Sequence, residues 1–224
     1  MKSIPKPDLI VFGGAFDPPH LGHTQSICYA QETFPNSQFV VVPGFQTPIN
    51  SSESKINSAL FEHRLEMCKL AFEDFSSFCK ILDIEKRLPT PNYTIQTLEY
   101  LKKDNPSLEI GLLIGVDQLQ NFHLWLKPLG ILNIASLIII PRSHYDFESA
   151  FKIFLSSLHL QISLKNQNVY QFEKLKPLFS VQKTPIGVTS TDIRQQIKAQ
   201  RSFLTPVLSK KVLTYIREQS LYLS

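Results

Sequence analysis

A segment near the start of the chain, Gly-Gly-Ala-Phe-Asp-Pro-Pro-His-Leu-Gly-His at 13–23, most constrains the fold. It follows the apolar run 9–12 and precedes a stretch with helical character at 20–34. This order predicts a strand, a tight glycine turn and a helix N-terminus. Gly13 and Gly14 allow a sharp turn and the close approach of a ligand to the backbone. Because backbone N–H groups and the helix dipole both favour negative charge there, the segment predicts an anion site.

Two histidines, His20 and His23, lie at the start of the predicted helix. Residues three apart share one helical face, so both imidazoles point the same way. Pro18 and Pro19 restrict φ just before the helix, where a missing N–H costs little. Two imidazoles at the positive end of a helix suit a polyphosphate better than a core. The simpler interpretation is a strand, turn and helix with incidental histidines.

The composition is that of a globular α/β protein. The chain has 224 residues, of which 43% are hydrophobic and 19% charged, enough to bury a core. A net charge of +4, without a run of Lys or Arg, suits phosphate-bearing ligands and does not require nucleic acid. Three cysteines without C-x-x-C spacing argue against disulfides and zinc. No apolar run has the length of a signal peptide core or a membrane span, so we expect a cytoplasmic protein without a membrane partner.

Apolar runs alternate with helix-period segments along the whole chain. The predicted strands are 9–12, 39–42, 80–84, 109–114, 136–140 and 178–183, and the predicted helices are 20–34, 59–73, 94–103, 117–124, 147–158, 191–200 and 209–219. This alternation predicts an α/β fold, a single Rossmann-like doubly wound, mostly parallel sheet flanked by helices, over one domain at 1–224. A polar loop is expected at 45–57, and 166–177 is expected to be only a surface connection.

A second motif, Thr-Ser-Thr-Asp-Ile-Arg at 189–194, opens the helix predicted after the last strand. The hydroxyls of Thr189, Ser190 and Thr191 could simply cap that helix. Arg194, one turn further, could reach an anion at the same N-terminus. The chain has neither a Walker A loop nor a G-x-G-x-x-G pattern, which argues against a P-loop nucleotidase and a dehydrogenase. In a doubly wound sheet, two helix N-termini from opposite halves of the chain can converge at the switch point.

These motifs resemble those of the bacterial nicotinate-nucleotide adenylyltransferases, a family within the nucleotidyltransferases that carry an H-x-G-H signature. Segment 13–23 resembles the family's GGxFDPxHxGH form, and 189–194 resembles its ISSTxIR sequence, with Thr189 in place of the first Ser. Segment 93–99 is similar to the family's YTIxTL helix start, and 115–119 to its GxDxL turn. Trp125 then follows where the family places an aromatic ring, and the resemblance continues to Tyr222.

The resemblance implies adenylyl transfer from ATP, accompanied by Mg²⁺, to nicotinate mononucleotide, giving deamido-NAD and pyrophosphate. It implies that His20, His23 and Arg194 are catalytic. The implied ATP-binding residues are Gly13, Gly14, Ala15, Phe16, His20, His23, Thr189, Ser190, Thr191 and Arg194. Thr94, Asp117 and Trp125 are implied to bind the acceptor, and no protein ligand to a metal is implied. From the residues themselves, Trp125 could equally be core packing, and Thr94 and Asp117 could be helix caps.

Three departures from the family pattern bear on rate and acceptor choice. Ala15 stands where the family usually has Thr or Ser, 45–50 lacks the family's P-H-K/R element, and Leu126 stands where Tyr is common. Lys55 is a weak candidate for a phosphate contact. Two alternatives stay open: a related transferase acting on nicotinamide mononucleotide or phosphopantetheine, and a catalytically weak nucleotide-binding regulatory protein. The choice between acid and amide pyridine also stays open, and a homo-oligomer is compatible with the sequence.

Overall fold

The computed structural model describes residues 4–46, 59–199 and 206–223. Within these ranges one sheet has the strand order β3-β2-β1-β4-β5-β8-β7-β6. Its strands are β1 (Leu9–Gly14), β2 (Gln38–Pro43), β3 (Cys79–Ile81), β4 (Ile110–Gly115), β5 (Ala135–Ile140), β6 (Ile162–Asn166), β7 (Val169–Phe172) and β8 (Leu178–Ser180). Strands β3, β2, β1, β4, β5 and β8 pair in parallel, and β7 and β6 extend the sheet antiparallel. The predicted mostly parallel sheet is confirmed.

Helices cover both faces of this sheet. They are α1 (Leu21–Thr33), α2 (Phe61–Phe72), α3 (Thr94–Lys103), α4 (Val116–Gln120), α5 (Pro128–Ile134), α6 (Phe147–Ser157), α7 (Ser190–Lys198) and α8 (Lys210–Glu218). Side chains of α1 and α2 pack on one face, with Ile10 and Leu113, while side chains of α3 to α6 pack on the other, with Val11 and Leu112. Because every residue of β5 is buried, that strand reads as a continuous apolar run rather than an alternating one.

The switch point of the sheet lies between β1 and β4. The chain leaves β1 towards β2 on one side and leaves β4 towards β5 on the other, so the two connections diverge. Gly14 and Gly115 end these two neighbouring strands. Divergence at adjacent strand ends opens a crevice at the carboxyl edge of the sheet, where ligands bind in such folds.

Several predicted boundaries were wrong. The third strand, predicted over 80–84, runs over Cys79–Ile81. Leu82 still donates to the carbonyl of Val41, but a 3₁₀ turn begins at Ile84 and prevents further pairing. The last strand, predicted over 178–183, ends at Ser180. The helix predicted over 117–124 is two pieces, α4 and the 3₁₀ turn Phe122–Leu124. Residue 200, predicted to end α7, lies outside the described residues.

The segment 166–177 is more than a connection. It contains β7, which pairs with β6 in a hairpin that places Tyr170 and Phe172 in the core. The short helix α5 was also not predicted, although Pro128 stands at its first turn, where proline is favoured. Cys28, Cys68 and Cys79 are free, as predicted. Among the described residues, no helix is both long and apolar enough to span a bilayer.

Candidate active site

A cleft of about 890 Å³ opens at the carboxyl ends of β1 and β4. Gly13, Gly14, Ala15 and His23 line it from the first motif, and Thr94, Asp117 and Trp125 line it from the segments predicted to bind an acceptor. The structure therefore brings the first motif and the predicted acceptor residues into one cavity. The polar loop predicted at 45–57, with Lys55, lies outside the described residues except for 45 and 46.

The turn after β1 is held by Phe16. Its backbone has φ of 48°, in the left-handed region, and its ring is 1% exposed. The ring packs edge-on against Phe12 at 5.4 Å and Phe72 at 6.1 Å between centroids. A Cβ on Gly14 would lie 3.1 Å from this ring, so glycine fits the turn best. Phe16 does not line the cleft; its side chain anchors the loop in the core and so shapes the turn that Gly13, Gly14 and Ala15 present to the cleft.

The two histidines of the first motif stack against each other. His20 is the N-cap residue of α1, and its ring centroid lies 3.8 Å from that of His23. The backbone N–H of His20 donates to Nδ1 of His23 at 3.2 Å, so a neutral His23 carries its proton on Nε2. Nδ1 of His20 is buried and has no hydrogen-bond partner among the described residues. A Cβ on Gly22 would lie 3.1 Å from the His20 ring, which explains the glycine between the histidines.

Both imidazoles are neutral in the free protein. Burial, and then the positive charge of Arg142, lowers the pKa of His20 to about 3. Burial also lowers the pKa of His23 well below its ordinary value, with further contributions from His20 and Arg142. In the free protein, the two histidines are therefore hydrogen-bonding groups rather than two fixed cations. The fixed positive charge that acts on both imidazoles belongs to Arg142.

Arg142 was not predicted from the sequence. It lies two residues after β5 and lines the cleft, with its Nε 3.6 Å from Oδ1 of Asp117. Both atoms are buried, and neither has a hydrogen-bond partner within the described ranges. A Cβ on Gly115, the N-cap of α4, would lie 2.2 Å from Oδ1 of Asp117, so any other residue there would have to displace this carboxylate. The sequence did carry a signal for Arg142. It follows a buried strand within two residues, and the carboxyl end of that strand lies beside the end of β4 at the edge of the sheet where the cleft opens.

The second motif docks directly onto the first. Ser190 donates its hydroxyl to the carbonyl of Pro18 at 2.9 Å. Arg194 donates from Nη1 to the carbonyl of Asp17 at 2.8 Å and from Nη2 to Thr191 Oγ1 at 3.2 Å. The predicted convergence of the two motifs is therefore confirmed.

The cap of α7 is Thr189, one residue before the helix. Its Oγ1 accepts from the N–H of Asp192 at 3.1 Å, and its hydroxyl donates to the Asp192 carboxylate at 2.6 Å. Thr189 thus has the capping role that the residues alone allowed, whereas Ser190 and Thr191 stand inside the helix. Arg64, also not predicted, donates to the carbonyl of Ala15 at 2.7 Å and fixes the turn from behind.

On the acceptor side, Thr94 begins α3 but does not cap it. The N-cap is Tyr93, whose N–H donates to Oε1 of Gln96 at 2.7 Å. The hydroxyl of Thr97, one turn later, is buried, lines the cleft and has no partner among the described residues. This helix N-terminus can therefore receive a ligand with acceptor atoms. Sequence reasoning missed Thr97, because a threonine inside a helix carries no distinct pattern.

Trp125 packs against the core and also lines the cleft. Its ring packs on Phe122 with centroids 5.1 Å apart and planes tilted by 36°, and it lies against the main core cluster. It is nevertheless half-buried and lines the cleft. Asp117 is not the cap of α4, since Gly115 is, so its carboxylate is free of that role. Both residues thus line the cleft without being committed to a helix cap.

The chain resembles known proteins over most of its length. A family model described as cytidylyltransferase-like matches residues 11–196. A probable nicotinate-nucleotide adenylyltransferase of Leptospira interrogans is 36% identical, with 95% of each chain covered. One of Aquifex aeolicus is 38% identical over 59% of this chain and 76% of its own. In fold, the chain is similar to a Plasmodium falciparum nicotinic acid mononucleotide adenylyltransferase solved in complex with NaAD, with a TM-score of 0.72, 17% identity, and 97% and 98% of the two chains covered.

Proposed function

Because the chain belongs to the cytidylyltransferase-like family and, within it, to the nicotinate-nucleotide adenylyltransferases, we propose that it transfers the adenylyl group of ATP to nicotinate mononucleotide. The observation that carries this proposal is the single cleft that joins the phosphate-binding turn of β1 to Asp117, Trp125 and the start of α3. One wall suits a triphosphate and the other a pyridine mononucleotide. The products are deamido-NAD and pyrophosphate.

The reaction needs positioning more than acid–base chemistry. An oxygen of the acceptor's 5′-phosphate forms a bond to the α-phosphorus of ATP, and the bond from that phosphorus to the bridging oxygen of pyrophosphate breaks. The nucleophile is already an anion, so no general base and no covalent enzyme intermediate is required. Catalysis then comes from aligning the two phosphates and stabilising the developing charge. The cleft supplies such groups in His23 and Arg142, and His20 is buried directly against His23.

The triphosphate would lie across the first motif. In this arrangement the backbone at Gly13, Gly14 and Ala15 faces the α-phosphate, with Phe16 holding the turn from the core. His23 donates from Nε2, the nitrogen left with the proton. Thr189, Ser190, Thr191 and Arg194 would hold the β- and γ-phosphates at the start of α7, where N–H groups and the dipole favour anions. Ala15 offers no hydroxyl, so backbone contacts replace one side-chain contact at that position.

The acceptor would lie between α3 and the 3₁₀ turn before Trp125. The carboxylate of nicotinate is an anion and suits the N-terminus of α3 at Thr94, with the unpartnered hydroxyl of Thr97 as a further donor. Trp125 offers an aromatic face for the pyridine ring. Asp117 would accept hydrogen bonds from ribose hydroxyls, as acidic residues do in other nucleotide sites.

Magnesium belongs to this proposal as part of the substrate MgATP. Among the described residues, no group of three or more His, Cys, Asp or Glu side chains is placed to hold a resident ion. Mg²⁺ commonly keeps several waters and is bound largely through substrate phosphates, which fits a site of this kind. We also propose that 1–224 acts as one domain in the cytoplasm, with ATP and a pyridine mononucleotide as its partners and with neither nucleic acid nor membrane. A homo-oligomer is compatible with this proposal.

The experiment that tests the proposal measures pyrophosphate release by the purified protein with ATP and Mg²⁺. Nicotinate mononucleotide, nicotinamide mononucleotide and phosphopantetheine are compared as acceptors at equal concentration. We expect strong preference for the nicotinate form. Preference for either other acceptor would correct the substrate. ATP binding without pyrophosphate release from any acceptor would overturn the enzyme assignment in favour of a regulatory nucleotide-binding protein.

A further inference from the structure

The side chain of Tyr222, close to the C-terminus, reaches the first motif. It is 7% exposed, and its hydroxyl donates to Oδ1 of Asp17 at 2.8 Å, although the two residues are 205 positions apart. After α8 the chain turns back with φ of 51° at Ser220 and 66° at Tyr222, both in the left-handed region. The turn directs Tyr222 inward. The proposed function so far assigns no role to this residue.

Asp17, in the turn after β1, accepts hydrogen bonds from three other segments of the chain. Its carboxylate is 3% exposed, and Oδ1 accepts from Tyr222 and also from the N–H of Ala59, at 3.0 Å, just before α2. Its backbone carbonyl accepts from Nη1 of Arg194 in α7. A buried carboxylate is stable only when donors surround it. Asp17 therefore ties the phosphate-binding turn to α2, α7 and the C-terminal segment.

Arg194 lies between two acceptors that belong to Asp17. Its Nη1 bonds the carbonyl at 2.8 Å, whereas the carboxylate Oδ2 is 3.8 Å away, too far for a hydrogen bond. The hydrogen bonds from Tyr222 and Ala59 satisfy Oδ1 of Asp17 and so weaken the electrostatic attraction between this carboxylate and the Arg194 guanidinium. If one of these donors were lost, a direct ion pair would be the nearest way to satisfy the carboxylate. Arg194 would then turn towards Asp17 and away from a bound triphosphate.

We propose that Tyr222 is a positioning residue for adenylyl transfer, because its hydrogen bond to Asp17 keeps the guanidinium of Arg194 available to the ATP phosphates. This inference rests on the proposed function. Burial and the Asp17 charge raise the pKa of Tyr222, so its hydroxyl stays a donor at every working pH. The competing explanation is packing alone, since Tyr222 also belongs to the cluster that joins α2, α7 and α8.

Removal of the hydroxyl alone separates these explanations. Tyr222→Phe keeps the ring and its packing but leaves Oδ1 of Asp17 with one donor fewer, so we expect a modest fall in melting temperature and a retained fold. We expect kcat/KM for ATP to fall roughly ten- to a hundredfold, because misplacing a substrate-positioning group such as Arg194 by about 1 Å can cost that much. The KM for nicotinate mononucleotide should stay within about twofold of the parent value, because the contact lies on the ATP side. The matched control is Tyr215→Phe, which removes a hydroxyl bonded to His63 at 2.9 Å, in the same C-terminal region.

A double-mutant cycle tests the route through Arg194. In an Arg194→Gln background, adding Tyr222→Phe should cause no further loss of kcat/KM for ATP, because the group being positioned is gone. ATP affinity measured by titration calorimetry should show the same pattern and does not depend on turnover. The inference would be overturned if the losses of kcat/KM in Tyr222→Phe and Arg194→Gln multiplied in the double variant. It would also be overturned if Tyr215→Phe and Tyr222→Phe lost kcat/KM equally. The parent protein could also fail to turn over any acceptor and still show the expected pattern of ATP affinities among the variants. In that case the proposed function fails, whereas the role of Tyr222 in positioning Arg194 for ATP stands.

Discussion

Nε of Arg142 lies 3.6 Å from Oδ1 of Asp117, where the ends of β4 and β5 meet the cleft. This pair places a permanent positive charge beside two neutral imidazoles and beside the carboxylate proposed to bind ribose. Since it also depresses the pKa of both histidines, Arg142 links the charge of the site to the protonation of His20 and His23.

Replacement of Arg142 by glutamine should lower kcat/KM with nicotinate mononucleotide by about a hundredfold, the usual cost of losing one positioned group that stabilises transition-state charge. The same change should raise the pKa of His20 and His23, because a repelling cation is removed. Steady-state kinetics and NMR titration of the histidines check the two effects. Arg87→Gln, which removes an exposed arginine paired with Asp83, is the control and should behave like the parent. An unchanged kcat/KM in Arg142→Gln would exclude it from the chemistry.

A methyl group at Gly22 should displace His20. The added Cβ would lie 3.1 Å from the His20 ring and 3.1 Å from the carbonyl oxygen of Ile186. We expect Gly22→Ala to reduce kcat by about tenfold or more while stability changes little, since alanine favours helix by roughly 1 kcal/mol. Gly130→Ala is the matched control, because its nearest neighbours lie at ordinary contact distances of 3.4 and 3.5 Å. Equal activity in the two variants would show that the His20 position tolerates the shift.

The hydroxyl of Thr97 should contribute to the choice between acid and amide pyridine. Thr97→Val keeps the shape and removes a buried hydroxyl that has no protein partner in the described part of the chain. We expect kcat/KM for nicotinate mononucleotide to fall about tenfold and that for nicotinamide mononucleotide to change little, because a bond to a charged acceptor is the stronger one. Thr33→Val, on the exposed end of α1, is the control. The same fall with both acceptors would remove Thr97 from specificity.

Stability should decline as the pH falls below the ordinary pKa of histidine. The folded-state pKa of His20 is about 3, whereas the unfolded value is near 6.5, so the unfolded chain binds more protons between these limits. The contribution of His20 to the free energy of unfolding is fully present above pH 6.5. It is lost as the pH falls towards 3, at up to about 1.4 kcal/mol per pH unit for this one group. His23 adds to this trend, since its pKa is lowered as well. Urea unfolding at pH 7, 5.5 and 4.5 measures how steeply the free energy of unfolding changes with pH. This pH dependence should be weaker in His20→Gln than in the parent, and an equal pH dependence in the two proteins would contradict the prediction.

Much of the fold and part of the site follow from local pattern. Alternating apolar and helix-period segments were enough to predict the parallel sheet, because burial on both faces produces continuous apolar runs such as β5. The glycine turn of 13–23 and the hydroxyl motif at 189–194 were identified because helix N-termini have residue preferences that are visible within a few positions. The hairpin of β6 and β7 was missed, since its short strands, partly exposed, carry a weak signal.

By itself, the sequence determined the class of fold and the family, and it identified the two motifs proposed to bind phosphate, because each depends on neighbours in the chain or on residue identity. Only the tertiary structure decided which groups meet. Ser190 reaches Pro18 across 172 positions, Arg194 reaches Asp17 across 177, and Tyr222 reaches Asp17 across 205. Burial likewise decided that His20 is neutral, because desolvation depends on everything packed around the ring. Contacts between distant segments and the loss of water are properties of the packed chain, and no local pattern encodes them.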